Sequence, residues 1–118
     1  MKKRIFIVED DDDIREIVTL VLEGEQYEVI PNSTISEFEQ KFNQHKPDAI
    51  LLDIRLPDGN GMELCTLLKS QEQTRHIPVI MMSAHEQIAI VMQNCKAESF
   101  ISKPFDIDDL LSKVQLYA

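Results

Sequence analysis

Basic side chains are scarce in this chain: 12 lysines and arginines stand against 21 aspartates and glutamates, for a formal net charge of -9. Nucleic acid is held through lysine and arginine contacts to phosphate, so this balance argues against nucleic acid as a direct partner. It either favours cations and basic protein surfaces or simply keeps the domain soluble. Long apolar runs are missing too. Ile5 to Val8, behind the basic Met1-Lys2-Lys3-Arg4, is too short for a signal-peptide core or a membrane span. The expectation is a cytoplasmic protein with no membrane partner. Cysteine is limited to Cys65 and Cys95, which form neither a CxxC nor a Cys/His cluster of metal spacing. Each lies among apolar residues at helical spacing, which predicts buried free thiols and a reducing compartment. Internal repeats and low-complexity linkers are absent, and 118 residues suit one domain over 1–118.

What is present is an alternation. Ile5-Phe6-Ile7-Val8 is a continuous apolar run that stops at acids, as expected of a strand buried on both faces. Ile14, Ile17, Val18, Val21 and Leu22 then mark one helix face ended by Gly24. Tyr27 to Ile30 reads as a second strand. Thr34-x-x-Glu37 has capping-box form and opens a helix with Ile35, Phe38 and Phe42 inward. Ala49 to Leu52 is a third strand, followed directly by Asp53, and Pro57 to Gly61 is a loop by composition. Asn60 caps a helix burying Leu64, Leu67 and Leu68. Pro78 to Met82 is a fourth strand, Ile88, Val91, Met92 and Cys95 a fourth helical stripe, and Phe100-Ile101 a fifth strand. Asp106 caps a last helix with Ile107, Leu110, Leu111 and Val114 inward. Five strand-then-helix units predict an α/β fold with a parallel sheet and helices on both faces.

In such sheets ligands bind outside the carboxyl ends of the strands. There the chain delivers Glu9-Asp10, Asp53, Ser83 and Lys103. Singly, each reads as a turn former, a cap or a solvated lysine. Together they make a site. Three packed carboxylates repel unless cations join them; Lys103 supplies one charge, and a hard divalent ion with oxygen ligands, Mg²⁺, suits the rest. A carboxylate, a metal, a hydroxyl and a lysine are the parts of phosphoryl transfer to an aspartate, with Asp53 as nucleophile.

The sequence resembles a receiver domain of two-component response regulators, the CheY-like superfamily. The resemblance spans the chain and rests on Ile7-Val8-Glu9-Asp10 with Ile14-Arg15, on Leu51 to Gly61, on Met82-Ser83-Ala84 and on Ser102-Lys103-Pro104-Phe105. It implies a flavodoxin-like doubly wound (βα)5 fold with five parallel strands in the order 2-1-3-4-5. It implies that Asp53 is the phosphoacceptor, and that Asp10, Asp53 and the backbone carbonyl of Arg55 ligate Mg²⁺, with Glu9 acting through water. Ser83 would be the switch hydroxyl, Phe100 the switch aromatic, and Lys103 the phosphoryl contact, joined to Pro104 by a cis bond. The donor would be a sensor histidine kinase or a histidine phosphotransfer protein. A downstream protein would read the face made by the fourth helix, fifth strand and fifth helix. The chain departs from the usual pattern at Glu9 for Asp, Ser83 for Thr, Phe100 for Tyr and Lys96 for Gly. Arg55 and His85 would flank the mouth of the site, either as solvated loop residues or as modulators of how long the phosphoryl group survives.

Other readings fit less well. Asp11, Asp12 and Asp13 could enlarge a metal site, but acids opening a helix suit its macrodipole better. His45 and His76 read as exposed, and no spacing makes a ligand set of His45, His76 and His85. An FMN binder needs a phosphate-holding loop where this chain is acidic. The alternative from the enzyme class, a Mg²⁺-dependent aspartyl-phosphate phosphohydrolase, resembles a strand ending in Asp-x-Asp, but position 55 is Arg. The stripe from Ile88 to Asn94 carries no basic residue, which leans toward a stand-alone or hybrid-kinase receiver.

Overall fold

Strand β1 (Arg4–Val8) lies between β2 (Glu28–Asn32) and β3 (Ala49–Asp53) and runs parallel to both. The computed structural model describes residues 2–84, 90, 91, 93 and 95–118. Beyond β3 come β6 (Val79–Ser83) and β7 (Ser99–Ser102), giving a five-stranded parallel sheet in the order β2-β1-β3-β6-β7. Numbered among themselves, these strands follow the expected order 2-1-3-4-5. Between β3 and β6, β4 (Arg55–Leu56) and β5 (Gly59–Asn60) pair antiparallel, so the segment expected to be a plain loop closes as a miniature hairpin.

The strands are apolar throughout because alternate side chains enter two separate layers. Phe6, Val8, Ile50, Leu52, Val79, Met81 and Phe100 face α2 (Ile35–Phe42) and α3 (Gly61–Ser70), where Phe38, Leu64, Cys65 and Leu68 meet them. Ile5, Ile7, Leu51, Ile80, Met82 and Ile101 face α1 (Asp12–Gly24) and the C-terminal helix α4 (Ile107–Tyr117), against Val18, Leu22, Leu110 and Val114. Phe6 packs edge-on against Phe38 with ring centroids 5.5 Å apart. No helix among the described residues is long and apolar enough to cross a membrane.

The caps follow the sequence with local changes. Asp11 accepts from the Ile14 amide and Asp12 and Asp13 fill the first turn of α1, so the acidic run serves the helix as expected. Gly24 is the last residue of α1, but the left-handed residue is Gln26, at φ 71°. Thr34 caps α2 by accepting from the Glu37 amide, while Glu37 returns to the amide of Ser33 rather than to Thr34. Asn60 and Asp106 cap α3 and α4.

Two expected core positions are corrected. Ile17 and Leu67 are 52% and 51% exposed, because each lies at the edge of its apolar stripe while Val18 and Leu68 take the centre. Ile17 borders a shallow groove with Phe105 and Ile107. His45 is half-buried rather than exposed, and His76 is exposed as expected. Of the stripe Ile88, Val91, Met92 and Cys95, Ile88 and Met92 lie outside the described residues; Ile90, Val91 and Gln93 are helical.

Candidate functional site

Register brings the strand ends level. Val8 pairs with Leu52, so Glu9 stands beside Asp53; Asp53 pairs with Met82, and Ser83 with Ser102, which leads into Lys103. Glu9, Asp10, Asp53, Arg55, Ser83 and Lys103 thus line one cleft of about 360 Å³. The sequence expectation that these side chains converge is met, and the Lys103–Pro104 bond is cis. His85 lies outside the described residues.

Glu9 is wholly buried and held on all sides. Its backbone N–H donates to the Asn32 carbonyl (3.0 Å), and its carbonyl accepts from Arg15 Nη1 (2.8 Å). Its Oε2 accepts from the Asp11 amide (3.1 Å), and its Oε1 accepts from Lys103 Nζ. Lys103 Nζ also donates to Asp53 Oδ2 at 3.1 Å. Burial pushes the Glu9 carboxyl above its usual range, against the pull of Lys103. Burial alone would lower Lys103, but Glu9 and Asp53 outweigh it, so its ammonium is held more firmly than usual.

Carboxylate oxygens of Glu9, Asp10 and Asp53 lie within 4.8 Å of one another. Asp10 is exposed, and its carboxylate has no hydrogen-bond or ion-pair partner among the described residues. One ammonium therefore opposes three carboxylates, and the donors are all hard oxygens, a set that suits a small divalent cation. Asp53 itself is 6% exposed. A Cβ at Gly61 would fall 2.0 Å from the Asp53 carbonyl oxygen, so only glycine lets the chain after β5 close against the end of β3.

Ser83 is buried at the end of β6, where its carbonyl accepts from the Lys103 amide at 2.9 Å. Arg55 is exposed on the cleft wall. Phe100 is 6% exposed and packs with Val91, Cys95 and Ala97. Phe100, expected as the switch aromatic, thus lies inside in this structure, as suits an aromatic with no hydroxyl to keep in water.

Two supporting residues escaped the sequence reading. Arg15 bridges the Glu9 carbonyl and the Asp12 carboxylate, fixing the acidic turn. Asp58 accepts from the Ile35 and Ser36 amides, both at 2.9 Å, so the loop after Asp53 is pinned to the start of α2; those bonds hold its carboxyl below the usual range. Ile14-Arg15 and Pro57-Asp58-Gly59 are visible in the sequence, but nothing local tells which distant backbone each side chain reaches.

Residues 5–115 match the family model of the response regulator receiver domain. The chain belongs to the response regulator receiver family. It is 35% identical over 117 residues to the phosphate regulon transcriptional regulatory protein PhoB of Klebsiella pneumoniae, covering 98% of this chain and 51% of that protein. The chain thus spans about half the length of that relative. It is 33% identical over 121 residues to the polar-differentiation response regulator DivK of Brucella ovis, covering 99% and 97%. The solved receiver domain of a signal transduction histidine kinase from Syntrophus aciditrophicus superposes with TM-score 0.89 at 30% identity, covering 98% of this chain and 89% of that one. The chemotaxis protein CheY4 of Vibrio cholerae does so with TM-score 0.90 at 25% identity, each chain fully covered. As a receiver, the domain has a phosphoacceptor role in two-component signalling.

Proposed function

We propose that residues 1–118 act as one cytoplasmic receiver domain whose phosphoacceptor is Asp53. The observation that carries this reading is the cluster itself: Asp53 touches Lys103 and belongs to the three-acid group, as Glu9 does, but it stands at the end of β3, the middle strand of the sheet, and among the described residues not both of its oxygens are tied up as those of Glu9 are. One oxygen of Asp53 attacks the phosphorus of a phosphohistidine on a sensor kinase or phosphotransfer protein. The new P–O bond forms as the P–N bond breaks, and the imidazole leaves with its electron pair. Lys103 turns from Asp53 to an oxygen of the arriving group, and the Ser83 hydroxyl donates to another.

Mg²⁺, held by Asp10, Asp53 and the Arg55 carbonyl, neutralises charge on the phosphoryl oxygens when bound. Both oxygens of Glu9 are engaged, by Lys103 and by the Asp11 amide, which favours an indirect part for Glu9. Movement of Ser83 toward the acyl phosphate repacks the layer around Phe100 and alters the face of β7 and α4 offered to a downstream protein. Arg55, whose permanent charge suits an anion, shields the acyl phosphate from water, and His85 stands two residues beyond Ser83 as a second candidate modulator.

Beryllofluoride with Mg²⁺ mimics the phosphoryl group on a carboxylate. Amide NMR shifts are expected at Asp53, Ser83 and Lys103, and also around Phe100. Shifts confined to the Asp53 loop would remove the switch from the proposal. A hydrolase would instead turn over para-nitrophenyl phosphate, whereas a receiver labels itself without turnover.

A further inference from the structure

The hairpin of β4 and β5 carries Arg55, whose carbonyl is proposed as a metal ligand, yet each of its strands has only 2 residues. A hairpin that short does not hold its own shape in water, so its place is set by its anchors. At its base, the Gly61 amide donates to the Ile54 carbonyl at 2.7 Å, and the Asn60 side chain accepts from the Met62 amide at 2.7 Å. At its tip, Asp58 Oδ1 accepts from the Ile35 amide and Asp58 Oδ2 from the Ser36 amide, both at 2.9 Å. Those amides open α2, where backbone N–H groups have no acceptor inside the helix. The fit beside them is close: a Cβ at Gly59 would fall 2.7 Å from Ile35 Cδ1.

We propose that Asp58 is a positioning residue for the metal site: by fixing the hairpin to α2 it holds the Arg55 carbonyl in place and so strengthens Mg²⁺ binding. This inference rests on the metal reading of the Glu9, Asp10 and Asp53 cluster. Asp58 is exposed and does not line the cleft, so it acts through the backbone that joins it to Arg55 and not by touching the ion.

Mg²⁺ demands near-ideal octahedral geometry, so a ligand free to wander binds it poorly. Groups that orient a ligand from behind therefore set affinity almost as the ligands do. Two bonds from one carboxylate to adjacent amides fix the orientation of the turn as well as its position. The coupling runs both ways. A cation that prefers the ordered hairpin must in return tighten the bonds between Asp58 and the start of α2.

The test is Mg²⁺ titration of the whole chain, read from the amide NMR shifts of Glu9, Asp10 and Asp53, in the wild type, Asp58→Ala and Asp58→Asn. Both variants lose the charge, but Asn keeps an oxygen that can accept from one of the two amides. Asp58→Ala should weaken the Kd by about tenfold, the lower end for groups that orient a metal ligand, and Asp58→Asn by less. Hydrogen exchange at the Ile35 and Ser36 amides should slow when Mg²⁺ is added to the wild-type chain, and should not respond in Asp58→Ala. A merely structural role would lower the urea midpoint of Asp58→Ala without moving its Kd, and that result would overturn the proposal. Equal weakening by Ala and Asn would also overturn it, since loss of charge alone would then suffice. Wild-type binding with these outcomes would leave the metal reading standing, whereas no Mg²⁺ shift in the wild-type chain would overturn both.

Discussion

Two cation–carboxylate clusters sit at opposite ends of the sheet. At the amino end, Lys69 is 6% exposed at its side chain and donates to the carbonyls of Arg75 (3.1 Å) and Ile77 (2.7 Å) and to Glu98 (2.9 Å). Glu98 in turn accepts from the Val79 amide at 2.8 Å. One positive charge meets one negative charge, and all three ammonium hydrogens have acceptors. At the carboxyl end, Lys103 pairs with Glu9 and Asp53, and Asp10 lies beside them. The first cluster is closed and joins α3 to the starts of β6 and β7. The second sets one ammonium against three carboxylates and opens on a cleft that Arg55 also lines. The balanced pair, with Lys69 buried and Glu98 half-buried, serves the fold, whereas the unbalanced cluster is the one suited to a ligand.

The largest effect that could break this comparison is at the closed end. Glu98→Ala leaves the Lys69 ammonium buried without its counter-charge and should lower stability by about 3 kcal/mol. Urea unfolding measures it; a loss below about 1 kcal/mol would mean the cluster is not structural. At the open end the sign differs. Metal-free Asp10→Ala should be no less stable than the wild-type chain, since it relieves repulsion. Mg²⁺ at a hundredfold excess over its Kd should stabilise the wild-type chain by about 2.7 kcal/mol. That gain should vanish in Asp10→Ala and persist in Glu98→Ala, as thermal melts with and without Mg²⁺ would read.

Much of this contrast was legible in the sequence at one end only. Strands buried on both faces are written as apolar runs, so their abrupt ends at Glu9, Asp53 and Ser83, with Lys103 just beyond the last, are plain to see. Parallel pairing then forces those ends to one edge. The closed cluster left no such mark. Lys69 sits in a helix and Glu98 in a loop, where charged residues are ordinarily solvated, and only tertiary contact makes them a pair. The same holds for Arg15 on the Glu9 carbonyl and Asp58 on the start of α2, which depend on chain paths no local pattern encodes. Periodicity found the inward stripes of α1 and α3 but not their width, which is why Ile17 and Leu67 are exposed. The burial of Cys65 and of Cys95 was expected from their apolar surroundings.

A smaller effect sharpens the account of the open end. If Arg55 covers the acyl phosphate, Arg55→Ala should lose phosphate several-fold faster, on the order of 1 kcal/mol in the barrier. Decay of the phosphorylated chain after removal of donor measures it. An unchanged or slower decay would show that Arg55 does not guard the site.

The central claim, that Asp53 accepts the phosphoryl group, is tested most directly by uptake from acetyl phosphate with Mg²⁺, comparing the wild-type chain with Asp53→Asn. Asn keeps the size of the side chain but has no carboxylate oxygen to attack phosphorus. The account predicts stoichiometric labelling of the wild-type chain, mapped to the peptide containing Asp53, and none in the folded variant. Labelling of Asp53→Asn at the wild-type rate would contradict it.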